Sequence, residues 1–202
     1  MIKNIVFDMG NVLIRYDVNN YVHELADNDE DRDILRTELF GSVEWLQMDR
    51  GILEAKQAVD QIKQRVPQRL HRAIEKGILE WHMDLENYED MEKLTYELKK
   101  NGYHLYLLSN TSKKFHVFRK FIPALNHFDG EFISADHKMM KPEPEIFKAF
   151  YQEYQLEPGE CYFVDDTVSN IEAAILTGMQ GVVFRGDVEA LKVDMRKNGI
   201  HI

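Results

Sequence analysis

Cysteine is nearly absent from this chain. A single residue, Cys161, excludes an internal disulfide and any multi-cysteine metal site, and it fits a reducing compartment. Basic residues are also scarce: 25 Lys and Arg stand against 35 Asp and Glu, for a net charge of −10. Such a chain lacks the electrostatic footprint of a nucleic-acid binder and is repelled by anionic lipid. If it handles an anionic substrate, a local cation has to offset its own field. No stretch approaches the roughly 20 apolar residues of a membrane span. The run from Ile2 to Phe7 is too short for a secretion signal and ends on the carboxylate of Asp8. The expected compartment is therefore the cytoplasm, with neither nucleic acid nor membrane as partner. The eight histidines show no metal-binding spacing, so no zinc is expected. There is no internal repeat and no Pro-, Gly- or Ser-rich linker. Any boundary within the 202 residues must show as a change of periodicity.

What is present is enough apolar sequence for a core, 44% of residues, arranged with two different periods. Ile2 to Phe7 predicts a buried strand broken by Asp8 and Gly10. From about Asn19 to Met83 the pattern is helical. Ser42 is placed to N-cap a short helix through Trp45 and Leu46, and Ala55, Ala58, Val59, Ile62 and Val66 follow helical spacing. Beyond that block, strands alternate with helices. Strands are expected over Tyr103–Leu108, Gly130–Ser134, Cys161–Val164 and Gly181–Phe184, with helices at Met91–Leu98, Pro144–Tyr154 and Ile171–Leu176. Alternation of this kind predicts a parallel sheet covered on both faces. The expected architecture is α/β, a Rossmann-like parallel sheet formed by residues 1–15 and 85–202. A small helical-bundle cap, residues 16–84, is inserted after the first strand.

Ligands of open α/β sheets bind beyond the carboxyl ends of the strands. Asp8 follows the first strand, Ser109-Asn110-Thr111 the second and Asp165-Asp166 the fourth, while Lys141 lies in the loop after the third. Taken singly, each has an ordinary structural reading as a turn residue, a helix cap or a surface lysine. Their coincidence at corresponding strand ends is better explained by a phosphate site. A carboxylate can act as nucleophile and form an acyl phosphate. Adjacent carboxylates suit Mg²⁺, a hard cation with oxygen ligands. A lysine supplies a point charge, and backbone N–H groups at a helix start bind phosphate oxygens.

With these residues in place, the sequence resembles the haloacid dehalogenase superfamily of hydrolases. The Asp8 segment resembles its first motif, Ser109-Asn110-Thr111 its second and Lys141-Pro142 its third. Val164-Asp165-Asp166-Thr167, with Asn170-Ile171-Glu172-Ala173-Ala174, resembles its fourth. The resemblance implies a Rossmann-like core, a covalent intermediate on Asp8, and Mg²⁺. The metal would be held by Asp8, the backbone oxygen of Gly10 and Asp166, with Asp165 direct or behind it. Lys141 joins Asp8 as catalytic, and Ser109, Asn110, Thr111 and Lys141 bind phosphate. The implied activity is Mg²⁺-dependent hydrolysis of a small phosphomonoester, with 2-haloacid dehalogenation or non-catalytic phospholigand binding as alternatives. The oligomeric state is left open.

One departure has chemical consequences. Family phosphatases usually carry a second Asp two residues after the nucleophile, as general acid and base. This chain has Gly10 there, followed by Asn11. The Asp-Met-Gly-Asn-Val pattern resembles the bacterial α-D-glucose-1-phosphate phosphatase group. An anomeric oxygen leaves more readily than an ordinary alkoxide, so the expected substrate is a sugar phosphate such as glucose 1-phosphate and the expected rate depends steeply on the leaving group. A glycine at this position is also what a left-handed turn would require. Trp45, Asp49 and Arg50 lie on the cap within reach of a substrate, although Trp45 fits a core position better. Lys113 and Lys114 are expected on a solvated helix face, with Lys113 able to help hold an anion.

Overall fold

Five short apolar segments pair into one parallel sheet in the order β3-β2-β1-β4-β5. They are β1 (Asn4–Phe7), β2 (His104–Ser109), β3 (Gly130–Ile133), β4 (Cys161–Asp165) and β5 (Gln180–Val183). The computed structural model describes residues 1–202, apart from the side chain of Asp84. Every residue of β1 is buried, as expected for a central strand with helices on both faces. Its register sets Phe7 opposite Leu107 on one side and Val164 on the other.

Because side chains alternate along a strand, each sheet face builds its own core. Ile5, Phe7, Leu105, Leu107, Tyr162 and Val164 join one apolar cluster. Val6, Tyr106, Leu108, Phe132, Cys161 and Phe163 join the other, packed under Ile146, Phe147 and Phe150. The covering helices include α6 (Glu89–Lys100), α9 (Pro144–Tyr154), α10 (Val168–Leu176) and α11 (Val188–Lys197), with the single turns α7 (Phe115–Phe118) and α8 (Ser134–His137).

Between β1 and α6 the chain is helical and has its own core. Helices α1 (Val18–Leu25), α2 (Asp29–Leu35), α3 (Val43–Asp49), α4 (Ala55–Lys63) and α5 (His71–Leu79) bury Val22, Leu35, Met48, Val59, Ile62 and Ile74 against one another. Ser42 caps α3 as its sequence context indicates, its hydroxyl accepting from Trp45 N–H at 3.1 Å. The chain enters and leaves this bundle through two segments that pair with each other. Arg15 N–H donates to Glu86 O at 2.8 Å, and Tyr88 N–H donates to Leu13 O at 3.0 Å.

The strand order reverses at β1, whose neighbours are β2 and β4. The chain runs outward through β2 and β3, then returns to the other side of β1 as β4. Loops leaving the carboxyl ends of β1 and β4 therefore part in opposite directions and leave a crevice. The sheet opens toward the helical bundle at that edge.

Candidate active site

The crevice edge collects the carboxylates that end β1 and β4. Asp8 immediately follows Phe7, Asp165 closes β4, and Asp166 is next in the chain. Their oxygens include three that lie within 4.8 Å of one another. Carboxylates this close repel unless a cation separates them, and one does. Lys141 Nζ is 2.8 Å from Asp8 Oδ1 and 2.7 Å from Asp165 Oδ2, and donates to the Leu108 carbonyl at 2.8 Å. Its side chain is 1% exposed, so the contact is almost entirely withdrawn from water. Burial by itself would pull the Lys141 ammonium down, but the charges of Asp165 and Asp8 outweigh it and hold its pKa above the usual lysine value. Burial pushes Asp8 up to about 6; the Lys141 charge opposes that rise and the Asp165 charge adds to it.

The two adjacent aspartates have different roles. Asp165 is fully buried and its oxygens accept from Lys141 Nζ, Thr167 N–H and Asn170 Nδ2. Its acceptor positions are thus taken by the protein, which makes it a brace for Lys141. Asp166 is partly exposed in the cleft, held by Asn11 Nδ2 at 3.0 Å and by the Thr167 hydroxyl. Asp8 Oδ1 meets the Lys141 ammonium as a buried ion pair at 2.8 Å. Three carboxylates against one ammonium leave surplus negative charge. An all-oxygen donor set with that surplus fits a hard divalent cation.

Asn11, not Gly10, carries the unusual backbone. Asn11 has φ 54°, in the left-handed region that asparagine tolerates better than most residues. Its side chain uses both ends, accepting from Tyr16 N–H and donating to Asp166. Gly10 lies outside the left-handed region, and a Cβ there would meet only Tyr16 Cβ at 3.8 Å. Gly10 is therefore not required by a left-handed turn, and its backbone has room for a side chain.

The second motif also differs from expectation. No helix starts at Asn110; the next one begins at Phe115. Thr111 N–H donates to Ser134 Oγ at 2.9 Å, so it is already engaged within the protein. Asn110 reaches across to the Lys141 loop, where its side chain accepts from Lys141 N–H and donates to Lys141 O, both at 2.9 Å. Asn110 thus fixes the height of the lysine, while Ser109 and Thr111 line the cleft beside it. Lys113 is solvent-exposed, as its sequence context indicates, and pairs there with Glu54, while Lys114 donates to Leu79 O of the helical bundle.

The resulting cleft has a volume of about 230 Å³. Asp8, Asp166 and Ser109 form its floor, and Tyr16, Trp45 and Trp81 supply an aromatic wall together with the Asp49 carboxyl. Tyr16 packs edge-on against Trp81, and Trp45 lies 6.4 Å from Trp81. Trp45 also packs on the bundle core, so it serves as both core residue and cleft wall. Tyr16 and Trp81 escape sequence reasoning because they read as ordinary helix-flanking aromatics until the bundle folds them over the sheet edge.

Comparison with known proteins identifies the class. The chain matches the family of haloacid dehalogenase-like hydrolases over residues 2–178, and it belongs to that family. It is 32% identical over 189 residues to a D-ribitol-5-phosphate phosphatase of Bacteroides thetaiotaomicron, covering 85% of this chain and 86% of that protein. It is 28% identical over 181 residues to a sesquiterpene phosphatase of Aspergillus oryzae, covering 89% and 88%. A family enzyme from Bacteroides thetaiotaomicron, solved in complex with magnesium and inorganic phosphate, superposes with a TM-score of 0.71 at 25% identity, covering 95% of this chain and 99% of that one. The chain is accordingly a phosphoric monoester hydrolase built on the parallel α/β core of that family.

Proposed function

We propose that this protein hydrolyses a small sugar or polyol phosphate by transferring the phosphoryl group to Asp8. The observation that carries the reading is the buried Lys141 ammonium, set between Asp8 and Asp165 at the floor of a cleft. Lys141 keeps the Asp8 carboxylate charged and aimed despite its burial, and offers positive charge to a phosphate seated above it. Ser109 and Thr111 donate hydroxyl hydrogen bonds to the phosphate oxygens. Asp8, the Gly10 carbonyl and Asp166 would hold Mg²⁺, which when bound neutralises the phosphate charge that an acidic protein otherwise repels. Asp165, saturated by Lys141, Thr167 and Asn170, stands behind them as the brace.

The aromatic wall favours the substrate class. A sugar or polyol presents C–H groups that pack on the Tyr16, Trp45 and Trp81 rings, and hydroxyls that reach Asn11 and Asp49. Glucose 1-phosphate and ribitol 5-phosphate are the two compounds to compare first. The helical bundle, residues 16–84, acts as a cap that closes on the substrate and excludes water. Dehalogenation is disfavoured because displacement at carbon needs no metal ion, which would leave the carboxylate cluster of Asp8, Asp165 and Asp166 without a use.

Phosphate release from a panel of sugar, polyol and nucleotide phosphates, with and without EDTA, tests the reading. Asp8→Asn should abolish turnover while the melting temperature is kept. Turnover by that variant, or full wild-type activity in EDTA, would refute it.

A further inference from the structure

When an ester of an ordinary alcohol breaks, the departing oxygen needs a proton, and a positioned acid is worth about 10²–10⁴ in rate. Gly10 supplies none. Among the groups lining the cleft, Asp8 and Asp166 belong to the carboxylate cluster. Burial holds the Tyr16 hydroxyl far above its ordinary pKa, with the charges of Asp49 and Tyr21 adding to the shift, so it keeps its proton. The remaining acid in the wall is Asp49, at the end of α3.

Three consecutive residues pin that end of the helix to the sheet. Ser134 Oγ, just past β3, donates to the Asp49 carbonyl at 2.5 Å. Arg50 grips Glu143, two residues beyond Lys141, through hydrogen bonds of 2.9 and 2.5 Å. Gly51 approaches the Ala135 backbone so closely that a Cβ would lie 1.9 Å from the Ala135 carbonyl oxygen. Seating the helical bundle on the sheet and delivering Asp49 to the cleft are therefore one event.

We propose that Asp49 protonates the departing alcohol and then deprotonates the attacking water, an inference that rests on the Asp8 reading above. In the first step an Asp8 oxygen bonds to phosphorus and the ester P–O bond breaks. The freed electron pair takes the Asp49 proton, and the alcohol leaves neutral. In the second step the Asp49 carboxylate takes a proton from water as the water oxygen bonds to phosphorus. The bond between phosphorus and Asp8 breaks, inorganic phosphate leaves, and both side chains return to their starting states.

The surroundings suit this role. Burial pushes Asp49 up to about 8, against opposing hydrogen bonds from the Trp45 side chain and the Ser112 backbone, so near neutrality it can both hold and release a proton. The charged groups close to it in the fold are engaged elsewhere: Arg50 with Glu143, Glu44 with Arg65, and Lys113 with Glu54. Tyr16 faces it from the loop after β1, and Asp8 and Asp166 share its cleft. With Asp49 as acid, the steep leaving-group dependence expected from Gly10 gives way to a shallow one.

The test compares wild type with Asp49→Asn on 4-nitrophenyl phosphate, whose leaving group needs no proton, and on a sugar 6-phosphate, whose leaving group does. The substitution is close in shape, and a site that accommodates the neutral acid accommodates the amide, so the variant should fold. For the 6-phosphate, kcat/KM should fall about 10²–10⁴-fold, and for the aryl ester by no more than about threefold. The decline of wild-type kcat/KM above about pH 8 should vanish in the variant. An equal loss on both substrates would mean a merely structural role, and an unchanged rate on the 6-phosphate would mean no role; either overturns the proposal. Asp8→Asn run alongside separates this outcome from failure of the parent reading, because it should silence both substrates.

Discussion

Gly51→Ala isolates the contact on which the cleft depends. Gly51 has φ +74°, where an L side chain is strained, and its missing Cβ would lie 1.9, 2.7 and 2.8 Å from the carbonyl O, carbonyl C and Cα of Ala135. All three are backbone atoms, so no rotamer change relieves the overlap. Restoring ordinary contact at 3.4 Å from the oxygen requires about 1.5 Å of movement, the difference between the two distances. The left-handed backbone adds about 1–2 kcal/mol. A displacement of this size at Asp49 and Trp45 should lower kcat/KM for a sugar phosphate about 10²-fold. That is about 2.7 kcal/mol of transition-state stabilisation. Gly102→Ala is the matched control. Gly102 has φ +89° with nothing within 4 Å of its would-be Cβ, so it carries the backbone cost alone. It should lower the melting temperature by about 2–8 °C without touching activity. Steady-state kinetics and thermal unfolding of both variants decide the matter. If Gly51→Ala keeps wild-type kcat/KM, or if Gly102→Ala loses as much activity, the close approach of bundle and sheet does not position the cleft.

Two further outcomes are expected. Lys141→Met leaves Asp8 and Asp165 buried beside each other without their cation, which should cost about 3–5 kcal/mol of stability and abolish turnover; denaturant titration should show the deficit shrinking as pH is lowered and the carboxyls protonate, and a deficit independent of pH would contradict the electrostatic account. Asp49 has a folded-state pKa of about 8, above its ordinary 3.8, so its contribution to stability is complete below pH 4 and is lost as pH rises through 8; Asp49→Asn should flatten that part of the stability profile, and a profile identical to wild type would show that burial does not perturb the group.

The sequence by itself determined the sheet, the order of the strand-end residues and the class of chemistry. Short apolar runs rich in β-branched and aromatic residues and ended by turn residues, such as Ile5-Val6-Phe7 and Tyr162-Phe163-Val164, read as strands buried on both faces, and whatever follows such a strand lies at the sheet edge. Asp8, Ser109 and Asp166 were legible for that reason, because short-range patterning alone puts them at one end of the sheet. Lys141 was legible only as a residue of the right loop. That its ammonium sits between Asp8 and Asp165 follows from the Asn110 bridge to its backbone, a contact across 31 residues. Tertiary structure also decided the different roles of neighbouring residues: Asp165 turns inward to Lys141 and Asp166 toward the cleft, and Asn11, not Gly10, takes the left-handed backbone. Asp49 was legible only as a cap residue within reach of a substrate. Nothing local distinguishes a carboxylate at the end of α3 from any other polar helix residue. Its place in the cleft is set by contacts to Ser134, Glu143 and Ala135 that span 84 or more positions in the chain, and such packing between two separately formed cores has no local signature in the sequence.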